Sequence, residues 1–189
     1  MRSLIITLIL SVCSFIVAFN VYLNKLETEE VLMEGAGRIN DSSPPCLLMY
    51  DAIERYSEEY KIPKRFAYGI AFKETRYQGP FHWEYDPERT SSAGALGPMQ
   101  IMPSTARLMW KGEKITDKMI ISDIDFNVKT SMKLLRHLYD RYGDWAIVFG
   151  CYNTGKPLVN QYAIDVYNFN FQDNGYRFIG TREQTHLLR

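Results

Sequence analysis

Apolar positions recur at helical spacing through most of the chain, and the strict alternation of a half-buried strand is weak throughout. In residues 47–60, Met49, Ile53, Tyr56 and Tyr60 share one face, with Glu and Arg opposite, which predicts an amphipathic helix. Residues 63–75 repeat the pattern. Phe66, Ala67, Ile70 and Ala71 fall on one stripe, and Pro63 suits the first helical position. Residues 81–89 read as an aromatic-rich loop, Met102-Pro103-Ser104-Thr105-Ala106 as a helix start, and 111–122 as polar and irregular. The strongest helix is predicted over 125–142, where Val128, Met132, Leu135, Tyr139 and Tyr142 keep the interval and Gly143 stops it. Asp144 then caps a run, 145–153, that is apolar nearly all round and is therefore expected at the centre of the domain. After the turn Thr154-Gly155-Lys156-Pro157, a last helix is predicted over 158–167, and 168–189 reads as a loose polar tail. The fold class expected is mostly α.

Ahead of this pattern, residues 4–23 carry no charge and are mostly Leu, Ile, Val and Phe. About 20 such residues just span a bilayer core. Arg2 precedes the run, and Lys25, Glu27, Glu29 and Glu30 follow it, so the positive end stays in the cytoplasm and the remainder lies outside. A cleaved signal peptide and a lipoprotein signal ending at Cys13 are the alternatives. No Ala-x-Ala-like site follows the run, and Val12 is a poor residue before a modified Cys, so the pattern favours an uncleaved signal anchor over 1–24. Residues 25–45, charged and then Gly/Ser/Pro-rich, read as a flexible linker.

One residue breaks the helical pattern in a way that carries chemistry. Glu74 continues the apolar stripe of 63–75 rather than the polar face. Burial disfavours the charged form of a carboxylate and raises its pKa, and an acid still protonated near neutral pH can protonate a leaving group. The plain alternative is a helix-end Glu whose head swings into water, and the pattern alone does not decide between the two.

Composition narrows the remaining classes. Lys plus Arg and Asp plus Glu both number 22, so net charge gives no reason to expect nucleic acid. The three Cys make no disulfide framework, and neither they nor His82, His137 and His186 have metal-ligand spacing. No cofactor or metal is expected. Cys46 and Cys151 are read as two free thiols, since spacing alone shows no pairing.

Three stretches in order resemble the motifs of the soluble-lytic-transglycosylase (SLT) catalytic domain: Glu74-Thr75, then Gly94-Ala95-Leu96-Gly97-Pro98-Met99-Gln100-Ile101-Met102-Pro103-Ser104-Thr105-Ala106, then Cys151-Tyr152-Asn153-Thr154-Gly155. The resemblance covers 46–167 and implies a lysozyme-like catalytic domain there, acting on peptidoglycan glycan strands in the cell envelope. It implies cleavage of the β-1,4 bond between N-acetylmuramic acid and N-acetylglucosamine, leaving 1,6-anhydromuramic ends. Carried over by position, Glu74 is the single acid/base, and Ser91, with Ser92 equally near, is the Ser close to it. Gln100 and Met102 line the cleft, Tyr152 hydrogen-bonds near the Glu, Asn153 completes the third motif, and Tyr162 matches the aromatic of a fourth. Thr75, Pro98 and Cys151 depart from the family pattern of Ser, Leu and Ala.

Glycoside cleavage needs a proton for the leaving oxygen and support for an oxocarbenium-like centre. No second acid lies in the matching motifs; the nearest, Glu84, Asp86 and Glu88, are in the loop. A single acid agrees with support from the substrate's own N-acetyl group and attack by the muramic 6-hydroxyl. The competing readings are a hydrolytic muramidase or chitinase using a loop acid such as Asp86, and a non-catalytic wall-binding module. Without the resemblance, Tyr152 is a core aromatic, Gln100 a satisfied core polar group and Met102 a gap-filler. Trp83 and Tyr85 either stack on sugars or cap the core.

Overall fold

The structure, a computed structural model, describes residues 42–176 together with Phe19 and Asn20. The chain divides into two compact units, 1–39 and 40–189. Apart from Phe19 and Asn20, the anchor expected over 1–24 lies outside the described residues, as does nearly all of the linker over 25–45. Among the described residues, no helix is long and apolar enough to cross a membrane.

The second unit contains α1 (Pro45–Glu59), α2 (Lys64–Thr75), α3 (Pro103–Met109), α4 (Asp117–Ser122), α5 (Ile124–Tyr142), α6 (Trp145–Thr154) and α7 (Gln161–Tyr167). The expected mostly α architecture is observed. The only bridges described, Thr90 with Leu96 and Leu96 with Ile101, are isolated pairs inside the loop between α2 and α3.

Helix α5 is the long strut. Val128, Met132 and Leu135 on its apolar stripe are fully buried, and α1, α4 and α6 pack against it. Asp123 caps its start by accepting from Phe126 N at 2.9 Å, and Gly143 ends it in the left-handed conformation. Asp125 ties α5 to α1 by accepting from Tyr56 Oη at 2.6 Å and Arg55 at 2.8 Å. Phe66 of α2 meets Trp145 and Phe149 of α6.

Several sequence expectations change. Pro63 is the residue before α2 rather than its first turn. Residues 111–122 are not wholly irregular: Thr116 Oγ1 accepts from Met119 N at 3.2 Å and starts α4, a helix too short to show a period. Only Val148, Phe149 and Gly150 of α6 are fully buried, so this apolar helix has one half-exposed side. Helix α7 begins at Gln161 rather than 158, because Asn160 Oδ1 accepts from Ala163 N at 2.9 Å and sets the cap there. The packed unit also runs past 167. Phe169 and Tyr176 are buried, and Tyr176 Oη donates to the carbonyl of Tyr77, with that of Tyr68 at 3.2 Å. Cys46 and Cys151 are free thiols.

Asp144 caps α6 by accepting from Ala146 N at 2.7 Å and Ile147 N at 3.4 Å. Asp144→Ala is expected to cost about 1 kcal/mol of stability, read as a lower urea midpoint at unchanged slope.

Candidate active site

Helix α2 delivers Glu74 in its last turn. Its neighbour Thr75 is buried, and the Thr75 hydroxyl donates to Pro98 O at 2.9 Å. With its one proton used there, Thr75 Oγ1 receives the Tyr85 hydroxyl at 2.9 Å. One buried hydroxyl therefore joins the end of the acid-bearing helix to both parts of the following loop.

That loop is built around Gly97, whose φ of +73° lies in the left-handed region. A Cβ there would stand 2.5 Å from both Asn127 Nδ2 and Ile120 O, so only glycine fits. Asn127, fully buried on α5, spends its whole amide on backbone. It donates to Leu96 O at 3.0 Å and Ile120 O at 2.7 Å, and accepts from Met99 N at 3.0 Å. Gln100, at a φ of +49°, is strained for a residue with a Cβ. Its amide nitrogen supports the turn by donating to Gly97 O at 2.8 Å and Arg89 O at 3.1 Å.

Across from the loop, α7 presents Tyr162, which donates to Glu74 Oε1 at 2.5 Å. Burial pushes Glu74 up from 4.5 to about 7, against the Tyr162 hydrogen bond and the Lys73 charge, which both favour the carboxylate. Lys73 pairs with Asp165 of α7 at 2.6 Å. Burial likewise raises Tyr162 and Tyr152 well above the ordinary phenol value, so both are neutral donors beside Glu74. Among the described residues, burial, Tyr162 and Lys73 account for the Glu74 shift.

The predicted site residues thus separate. Glu74 and Tyr162 touch. Tyr152 lies close enough for the Glu74 charge to act on it, but its hydroxyl donates to Met99 O at 2.7 Å and lies 3.1 Å from Ser131 Oγ. The phenol on the carboxylate is therefore Tyr162 rather than Tyr152. Asn153 is exposed and accepts from Asn160 at 2.9 Å, which ties the third motif to the cap of α7. Ser91 closes its own turn, accepting from Ala95 N at 2.9 Å, while Ser92 is exposed. Met102 is 39% exposed at the start of α3. Tyr85 is buried and caps the core, whereas Trp83 is 61% exposed. Among the described residues no three His, Cys, Asp or Glu side chains converge as a metal site requires. A separate hollow of about 290 Å³, lined by Leu108, Met109, Lys111, Lys133 and His137, contains none of the site residues.

Sequence reasoning missed Lys73, Asp165, Asn127 and Asn160. Asn160 had a readable signal, a capping residue just before an apolar turn. Lys73 and Asp165 find each other only in the fold, 92 residues apart, and Asn127 reaches Leu96 and Met99 on the loop before it.

The family model described as Transglycosylase SLT domain matches residues 51–174, which spans α2, the Gly97 loop, α6 and α7. The chain belongs to this family. The mostly helical, lysozyme-like fold expected for an SLT domain goes with that membership. A transglycosylase of Enterobacteria phage PRD1 is 30% identical over 115 residues, 61% of this chain and 38% of the phage protein. Among solved structures, the 70 kDa soluble lytic transglycosylase SLT70 of Escherichia coli is similar over 66% of this chain and 18% of its own. Its identity is 25% and its TM-score 0.46. An inactive mutant of the lytic transglycosylase Slt from Pseudomonas aeruginosa is similar over 69% of this chain and 25% of its own, at 16% identity and a TM-score of 0.49. This SLT-domain chain thus spans well under half the length of each of these proteins.

Proposed function

We propose that this chain is a peptidoglycan lytic transglycosylase, cleaving between N-acetylmuramic acid and N-acetylglucosamine with Glu74 as sole acid/base and leaving 1,6-anhydromuramic ends. The observation that carries the reading is a partly buried carboxyl, raised to about 7 and held by a neutral phenol. Because Tyr162 donates to Oε1, the proton of the acid form is left to Oε2. Glu74 gives that proton to the leaving glycosidic oxygen as the C1–O bond breaks. The substrate's N-acetyl group supports the cationic centre. The Glu74 carboxylate then takes the proton of the muramic 6-hydroxyl as its oxygen bonds to C1, which restores the acid.

Family membership supports peptidoglycan as the substrate class and the cell envelope as the place of action. The charge-free run over 4–23 supports a membrane anchor. Ser91, Gln100, Met102, Tyr152 and Asn153 are read as support for the loop and the cleft rather than as groups that exchange protons.

Mass spectrometry of digested peptidoglycan tests the reaction. Anhydro ends are expected. Reducing ends in their place would make the chain a hydrolase and overturn the reading.

A further inference from the structure

Two adjacent residues at the end of α2 meet two residues one turn apart on α7. Tyr162 donates to Glu74 Oε1 at 2.5 Å, and Lys73 Nζ lies 2.6 Å from Asp165 Oδ2. Gln161 Nε2 holds the other Asp165 oxygen at 2.7 Å. Lys73 Nζ also stands 5.9 Å from the centre of the Tyr162 ring. The ion pair is partly shielded, its side chains 28% and 37% exposed. We propose that Asp165 is a positioning residue for the Glu74 acid: by binding Lys73 it clamps α7 to the last turn of α2 and neutralises the cation that borders the carboxyl. This rests on the reading of Glu74 as the acid.

The physical argument concerns charge balance. An unpaired ammonium beside a carboxyl favours its ionised form, and an ionised Glu74 has no proton to give. The groups facing Glu74 are Lys73 on its own helix, Tyr162 on α7 and Tyr152 on α6. Both phenols stay neutral, so the charge left to balance is that of Lys73. The Lys73 hydrogen bond holds Asp165 below its ordinary value, so it remains an anion through the working range rather than acting as a second acid.

The test is the pH profile of kcat/KM on purified peptidoglycan for the wild type, Asp165→Asn, Lys73→Met and the double variant. Removing Asp165 alone is expected to move the alkaline fall to lower pH by about half to one pH unit, and removing Lys73 alone to higher pH. The double variant should fall near the wild type. NMR titration of 13C-labelled Glu carboxyls, with Glu74 assigned by its loss in Glu74→Gln, reads the same displacements without turnover. Profiles that superimpose on the wild type after scaling, with an unmoved Glu74 titration, overturn the proposal and leave a merely structural pair. A wild type with no Glu74-dependent cleavage overturns instead the reading on which the proposal rests.

Discussion

Glu74→Gln is expected to lower glycan cleavage by about 10²- to 10⁴-fold, the range for removal of a positioned acid/base. The amide keeps the size of the carboxyl and can still accept from Tyr162, so folding and substrate affinity are retained and the loss falls on kcat. The wild type carries a matching signature. Since kcat/KM reports the free enzyme, and the acid must be protonated to act, activity falls as pH rises through the Glu74 value of about 7. Steady-state rates on purified peptidoglycan, taken with a melting curve for each protein, check both parts. A folded Glu74→Gln protein with more than a tenth of wild-type activity removes Glu74 from the mechanism.

Gly150→Ala is expected to destabilise the domain by about 3–5 kcal/mol, beyond the usual cost of overpacking. A Cβ at this position of α6 would lie 1.5 Å from Leu158 O and 2.8 Å from Leu158 C. The obstacle is backbone, so no rotamer change relieves it. The segment leading into α7 must retreat by about 2 Å to reach an ordinary contact distance. Asn160, two residues beyond Leu158, caps α7 and is bonded to Asn153, so the retreat pulls on the helix that carries Tyr162 and Asp165. Calorimetry should show a melting temperature lower by roughly 10 °C or more. Any protein that still folds should also lose activity, because the phenol leaves the carboxyl. A melting curve within a degree or two of the wild type would mean that α6 and the 156–160 segment are not packed backbone to backbone.

The acid was legible because it violates a pattern. A charged residue on the stripe formed by Phe66, Ala67, Ile70 and Ala71 stands out at helical period, and the ordered motifs after it pointed to the chemistry. Tyr162 was named only through the resemblance to a fourth motif; its contact with Glu74 was not legible, since the two lie 88 residues apart and no local rule links them. Asn127 was hidden for the opposite reason: its neighbours Val128 and Ser131 mark a helix face, and an amide on that face declares no partner until the loop is folded against it. Ser91, carried over by position, accepts from Ala95 N within its own turn, which leaves its hydroxyl proton unassigned. The segment 168–176 looked loose from its Asn, Gln and Gly content. Two aromatics, Phe169 and Tyr176, outweigh that composition by entering the ring cluster with Tyr68, Phe72 and Tyr77.

Glu74 also couples folding to acidity. Its carboxyl holds a proton up to about 7 in the folded chain but only to its ordinary 4.5 in the open one. The native form therefore binds the proton more tightly. The stability this provides is fully present below 4.5 and drains away as pH climbs through 7. On the proposed mechanism, the desolvation that keeps Glu74 protonated for its role also makes the fold weaker in alkaline surroundings, so the conditions that would silence the acid are also those that loosen its scaffold.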